Sequence, residues 1–166
     1  LGNAVLHSEI VSTGDGTYKG RYLTTLSGLY QTKLTLNTAG GLAATYYADA
    51  DCLHYAYHRM DSEVNFDWGH FSPHQSVPRD FFCARWTGML APVNTGEHKF
   101  VISADDSAKF WIDHELLIDH MTSHGESWAA KMLREEFLYP IMIEYREQKR
   151  DAKIKLMWSA GSLLET

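Results

Sequence analysis

Residues 103–113, SADDSAKFWID, decide the fold of this chain. Phe110 and Ile112 alternate with their neighbours at a period of two, which is the pattern of a β-strand with one buried face. Asp105 and Asp106 stand at the entrance of that strand. Two adjacent carboxylates repel each other, and that cost falls if they share a hard cation. The stretch therefore predicts a strand that begins at an acidic loop.

The same alternation recurs along most of the chain. It occurs at residues 82–86, 100–102, 139–146 and 154–158. Short strands separated by turns such as residues 94–97 predict an all-β fold, an antiparallel β-sandwich or barrel. Eight large side chains are predicted to form one core: Trp86, Phe100, Phe110, Ile112, Ile143, Tyr145, Leu156 and Trp158. Residues 128–136 have helical propensity and are the candidate for a short helix.

From about residue 40 to residue 160 the chain resembles the protective-antigen-type (PA-fourteen) family. The matching stretches, in order, are GLAATYY at 41–47, VNFDW at 64–68, FCARWTG at 82–88, GEHKF at 96–100, SADDSAKFWID at 103–113, YPIMIEY at 139–145 and AKIKLMW at 152–158. The stretch at 103–113 is the most specific, although Ser107 and His114 replace glycines of the family pattern. The resemblance implies an antiparallel β-sandwich.

The N-terminal segment has a different pattern. GDGTY at residues 14–18, Tyr22 and GLY at 28–30 resemble the C-terminal half of a filamin-type immunoglobulin-like repeat. We therefore assign residues 1–39 to part of such a repeat, 40–160 to the sandwich and 161–166 to a tail or linker. Half a sandwich would leave an apolar face in water, so we expect its missing strands to precede Leu1 in a longer polypeptide. The alternative is that the hairpin packs on the larger domain as extra strands.

Composition excludes several classes of partner. The formal net charge is -6, and the 15 Lys and Arg residues form no run, so nucleic acid is not an expected partner. The sequence has no apolar stretch near the ~20 residues that a membrane helix needs, so no membrane insertion is expected. Cys52 and Cys83 permit one disulfide without implying it, and we expect free thiols. A disulfide would favour an extracellular protein.

The resemblance gives the acidic pair a specific interpretation. In fungal adhesins of the family, the matching aspartates are joined by a cis peptide and hold a calcium ion that binds sugar hydroxyls. The resemblance thus implies a metal site at Asp105 and Asp106, with Ser107 beside them, and a facing loop in which Glu147 takes the place of an Asn. Calcium is the one possible cofactor. The alternative is that the aspartates only cap a turn by accepting backbone N–H bonds.

Sequence signals of catalysis are absent, since the chain has no serine elbow, phosphate loop or HExxH motif. We therefore expect a non-catalytic interaction module of a larger multidomain protein, binding carbohydrate or a protein partner at the cell surface or outside the cell. The first alternative is a structural spacer in a cytoskeletal or cytoplasmic assembly. The second is an accessory domain of a glycan-active enzyme.

Overall fold

The computed structural model describes residues 9–21, 28–29, 40–121 and 125–160. The chain divides into two compact units, Leu1–Leu36 and Asn37–Thr166. No helix in the described ranges has the length and hydropathy that a membrane span requires.

The first unit contains a β-hairpin. Strand β1 (Glu9–Ser12) pairs antiparallel with β2 (Tyr18–Arg21). Gly14 and Gly16 have φ angles of 85° and 87°, a conformation that glycine adopts without steric cost. The Asp15 carboxylate accepts the Thr17 backbone N–H at 3.0 Å, as expected for a turn at this position. The remaining stretches of the filamin-type resemblance fall largely outside the described residues.

The described residues of the second unit form ten strands in two antiparallel sheets. They are β3 (Leu42–Tyr47), β4 (Tyr55–Asp61), β5 (Asn65–Gly69), β6 (Cys83–Leu90), β7 (Gly96–Asp105), β8 (Ser107–Ile112), β9 (Glu115–His120), β10 (Glu126–Leu133), β11 (Tyr139–Arg146) and β12 (Ala152–Ala160). One sheet has the order β10-β7-β12-β5, and the other has the order β4-β3-β6-β11-β8-β9. The predicted all-β antiparallel sandwich is confirmed.

The core follows the predicted alternation. Six of the eight predicted core side chains are fully buried: Trp86, Phe100, Phe110, Ile112, Ile143 and Tyr145. Leu156 is partly buried against them. Trp158 is 40% exposed, so its assignment to the core was wrong. It shares the face of β12 that carries Ile154, but it lies near the strand's end, where it stacks on His98 and lines a surface pocket.

The helix predicted at residues 128–136 is not present. Residues 126–133 form β10, which pairs with β7 along its whole length, from Glu126↔Ser103 to Leu133↔Gly96. Trp128 is 65% exposed, whereas Leu133 is fully buried. Each residue of β10 has a partner in the neighbouring strand β7, and this tertiary pairing outweighs a weak local helix propensity.

The two cysteines form a disulfide, so the expectation of free thiols was wrong. The Cys52 and Cys83 sulfurs are 2.08 Å apart and the Cα atoms 5.3 Å apart. The loop after β3 turns back because the Asp49 carboxylate accepts the backbone N–H groups of Asp51 and His54, at 2.9 and 2.6 Å. This turn brings Cys52 back to the start of β6, where Cys83 pairs with Tyr47.

Candidate functional site

The acidic pair lies where the chain passes from one sheet to the other. Strand β7 of the four-stranded sheet ends at Asp105, and β8 of the six-stranded sheet begins at Ser107. The peptide bond between Asp105 and Asp106 is cis, as the family resemblance implied. The corner between the sheets therefore places two carboxylates at one end of the sandwich.

Three loops meet at this corner and are joined by backbone hydrogen bonds. The Asp106 carboxylate accepts the Gln148 N–H at 2.7 Å, so the aspartate does cap the loop after β11. That loop is also bonded to the segment before β6, because the Phe81 N–H donates to the Gln148 carbonyl at 3.1 Å and the Glu147 N–H donates to the Phe82 carbonyl at 2.9 Å. The corner, the segment before β6 and the loop after β11 thus lie together at one end of the sandwich, and we call these three segments the edge.

This edge encloses an open pocket with a volume of about 500 Å³. Its lining consists of Phe81, Asp105, Asp106, Gln148, Lys149, Arg150 and Asp151. Phe81 is 49% exposed and has a φ angle of 58°. The Lys149 ammonium lies 5.3 Å from the centre of its ring, within cation–π range. The pocket therefore combines carboxylates, cations and an aromatic face.

Glu147 lies behind the aspartates rather than on the pocket surface. Its side chain is 0% exposed, and the Tyr145 hydroxyl donates to Oε2 at 2.6 Å. The other oxygen, Oε1, is buried without a hydrogen-bond partner. Burial raises the pKa of Glu147 from 4.5 to about 7, with further increases from the negative charges of Asp106, Asp105 and Asp80 and an opposing effect from the Tyr145 hydrogen bond.

Tyr145 links this buried carboxylate to the corner. Its hydroxyl also contacts the Asp105 carbonyl oxygen and accepts the Lys153 N–H at 3.2 Å. Burial raises the pKa of Tyr145 far above its ordinary value, and the Glu147 carboxylate raises it further. Tyr145 is therefore a neutral donor at physiological pH.

The structure brings three of the four predicted site residues into one neighbourhood. Asp105 and Asp106 line the pocket, and Glu147 is close enough for both to raise its pKa. Ser107 lies apart, in a smaller pocket of about 120 Å³ with Glu144 and Arg146. Within the described ranges, one trio of metal-ligating side chains has its ligand atoms within 4.8 Å of one another, Cys52, Cys83 and Glu144, and there the sulfurs are bonded to each other.

Sequence reasoning missed most of the pocket lining. Phe81, Gln148, Lys149, Arg150 and Asp151 were not predicted site residues. Their signal in the sequence is weak, since polar and charged residues in loops are common. The position of residues 147–151 directly after the YPIMIEY strand, on the loop predicted to face the aspartates, could have identified the last four.

Comparison with known proteins gives a family match and several structural relatives. The family model described as "PA14 domain" matches residues 38–161. The anti-sigma-I factor RsgI3 of Acetivibrio thermocellus is 35% identical over 127 residues, which are 75% of this chain and 20% of that protein. A solved anti-sigma factor domain-containing protein from Clostridium clariflavum has a TM-score of 0.70 at 26% identity, covering 90% of this chain and 53% of that one.

An adhesin domain is also among the structural neighbours. The Epithelial Adhesin 9 A domain of Candida glabrata, solved in complex with Galb1-4GlcNAc, has a TM-score of 0.61 at 15% identity, with 72% of this chain and 81% of that chain covered. At that identity the likeness concerns the fold. The chain spans a fifth of the curated relative and about half of the Clostridium clariflavum chain. None of these matches supports the filamin-type interpretation of residues 1–39.

Proposed function

Because the chain belongs to the PA14 domain family, we propose that its second unit binds carbohydrate, without catalysis, through a calcium ion held at Asp105 and Asp106. One observation carries the proposal: the two aspartates line an open pocket at a corner where the loop after β11 is hydrogen-bonded both to Asp106 and to the segment before β6. Carbohydrate-binding sites need hydroxyl-directed polar groups beside an apolar ring face. The aspartates supply the first and Phe81 the second.

The donor set of the edge fits a calcium ion. Calcium prefers carboxylate and carbonyl oxygens in flexible, high-coordination arrangements, and Asp105 and Asp106 offer carboxylates on the pocket surface. Glu147 lies behind them as a buried carboxylate with one unpartnered oxygen. Burial is the main cause of the raised pKa of Glu147, and the negative charges of Asp106, Asp105 and Asp80 add to it; a bound cation would offset this second contribution. When bound, calcium would supply open coordination positions for sugar hydroxyl oxygens.

The relatives favour a regulatory protein as the context of this module. The relative with 35% identity over 127 residues is an anti-sigma-I factor. The solved protein from Clostridium clariflavum is also an anti-sigma factor domain-containing protein. We therefore propose that this unit is the ligand-binding part of a longer signalling protein, rather than an adhesin or a cytoskeletal spacer. The Cys52–Cys83 disulfide supports an extracellular position, because disulfides persist in oxidising compartments.

Calcium binding is tested by thermal unfolding in calcium, magnesium or chelator. Calcium should raise the melting temperature by an amount equivalent to about 2.7 kcal/mol at a hundredfold excess over Kd. Magnesium should stabilise less, because it demands tighter octahedral geometry. The calcium effect should be lost in Asp106→Ala and reduced in Glu147→Gln. Asp106→Asn keeps an acceptor for the Gln148 N–H, so it separates loss of the cap from loss of the charge.

Carbohydrate binding is then measured by calorimetry on panels of neutral and acidic oligosaccharides, with and without chelator. Binding that chelator abolishes supports the proposal. A melting temperature that calcium leaves unmoved would show that Asp106 is only a turn cap, and the spacer interpretation would become the better one.

A further inference from the structure

The outer face of the six-stranded sheet carries a row of mostly apolar side chains. Core residues such as Trp86 and Phe110 point inward, so the residues next to them along each strand point outward. Cross-strand partners share a face of the sheet, and the pairing of the six strands aligns one outward residue from each. In order from β4 to β9 these are Met60, Ala43, Thr87, Met142, Trp111 and Leu116, which we call the apolar row.

The apolar row is open to solvent. Met60 and Leu116 are 64% and 43% exposed, whereas Met142 and Trp111 near the middle are half-buried. Met89, on the same outward face of β6, widens the row and is 38% exposed. A contiguous apolar patch of this kind marks an interaction surface, and Met and aromatic side chains are enriched at the cores of protein interfaces. The apolar row therefore fits a protein surface.

The charged side chains beside the apolar row are paired with one another. The Glu144 carboxylate lies 2.6 Å from the Arg85 guanidinium and 2.9 Å from that of Arg146, and Lys109 pairs with Asp119 at 3.1 Å. Three cations and two carboxylates give these five residues a net charge of +1, whereas the whole chain carries -6. This face is therefore nearly neutral on a chain whose overall charge repels a second copy.

The area of the face is close to what a specific interface needs. Its six strands contain six to eight residues each. With about 4.8 Å between strands and about 3.4 Å per residue, the face measures roughly 29 Å by 24 Å, or about 700 Å². Specific interfaces bury about 800 Å² on each partner. A flat partner of the same dimensions would cover the face, and another copy of this sheet has those dimensions.

We propose that two copies of this chain associate through the outer faces of their six-stranded sheets, with the apolar rows packed on each other about a two-fold axis. β-sheets pack face to face in this way within sandwiches, and a two-fold contact uses the same surface on both copies. Met142, near the middle of the row, then lies close to the axis.

The dimer would leave both ligand sites open. Trp111 lies five residues from Asp106 along β8, which is about 17 Å of extended chain. Each copy would present its own edge, and two edges on one particle bind a polymer more tightly than either edge alone. The dimer itself does not depend on the carbohydrate binding proposed above.

The test is sedimentation equilibrium of the full chain between about 1 and about 100 μM. The mean mass should rise from the monomer value of 18.9 kDa toward twice that value. Added sodium chloride should strengthen the association, because it screens the repulsion between two chains that carry -6 each. A wild-type chain that stays monomeric throughout this range would overturn the proposal.

Lysine substitutions locate the interface. Met142→Lys brings two like charges together at the axis, and it should shift association to at least about tenfold higher concentration. Met60→Lys should also weaken association, and its 64% exposure keeps the test usable if Met142→Lys does not fold. Met132→Lys is the matched control, because Met132 is 67% exposed and lies on β10 of the other sheet. It should associate like the wild type.

The remaining outcomes name other occupants. Association that persists in both folded variants, or that is lost only in Met132→Lys, would place the contact elsewhere and overturn the proposal. A monomer in which Met60 resists oxidation by hydrogen peroxide would show that another part of the chain covers the apolar row, which would also overturn it.

Discussion

At the residue scale, the environment of Glu147 departs strongly from that of an ordinary carboxyl group. It is buried, has one unpartnered oxygen and faces three other carboxylates. An ionised carboxylate in such a place loses hydration, which costs free energy. Its raised pKa is therefore a consequence of the same arrangement that would favour a bound cation.

This environment predicts a pH dependence of stability in chelator. The folded-state pKa is about 7, against an ordinary value of 4.5, so between these pH values the folded protein binds more protons than the unfolded chain. The free energy of unfolding should therefore fall as pH rises from 4.5 to 7, by about 3 kcal/mol from this group. Urea unfolding across this range measures it.

Glu147→Gln provides the matched control for that pH dependence. The substitution keeps an acceptor for the Tyr145 hydroxyl and removes the titrating group, so the variant should lose this part of the pH profile. Equal profiles of the variant and the wild type would show that Glu147 does not titrate in this range.

At the scale of elements, the disulfide joins the loop after β3 to the first residue of β6. It closes a span of 31 residues that includes β4, β5 and the segment before β6. That segment contains Phe81 and Phe82, which are bonded to the loop after β11. The disulfide thus stabilises the base of the edge that carries the pocket of the aspartates.

Removing the disulfide should destabilise the fold. A double Cys52→Ser, Cys83→Ser variant restores conformational freedom to the unfolded loop, and the expected loss is about 3 kcal/mol in urea unfolding. Reducing the wild-type protein should give a similar loss, and the serine variant should not respond to reductant. A variant as stable as the oxidised wild type would contradict this expectation.

At the scale of the whole molecule, the two units have separate internal organisation. The family match begins at residue 38, and the described core lies within residues 42–156. The match to the Clostridium clariflavum protein covers 90% of this chain, more than residues 38–161 account for, so it includes part of the first unit.

Deleting residues 1–36 should leave the second unit folded. Because its described core contains no residue of the first unit, residues 37–166 should unfold in one cooperative transition near the melting temperature of the full chain. Far-UV circular dichroism during heating measures this. Loss of the cooperative transition would show that the N-terminal segment belongs to the sandwich.

The sequence by itself determined the fold and the position of the acidic pair. Alternation at Phe110, Ile112, Ile143 and Tyr145 is a local property of strands with one buried face, so it can be seen without the partner strands. The alternation within residues 103–113 also predicts where that strand begins, and so it placed the aspartates at the strand's entrance. Local propensity failed at residues 128–136, because pairing with β7 decided that segment.

Tertiary structure alone decided the rest of the site. The disulfide depends on a turn held by Asp49, and the buried Glu147 carboxylate is bonded to the Tyr145 hydroxyl. No periodic pattern of residues in the sequence predicts either contact. Phe81, Lys149 and Arg150 come from loops separated by more than sixty residues, and backbone hydrogen bonds between those loops bring them to the aspartates. Spacing along the chain does not encode such contacts, because they form only when both sheets are assembled.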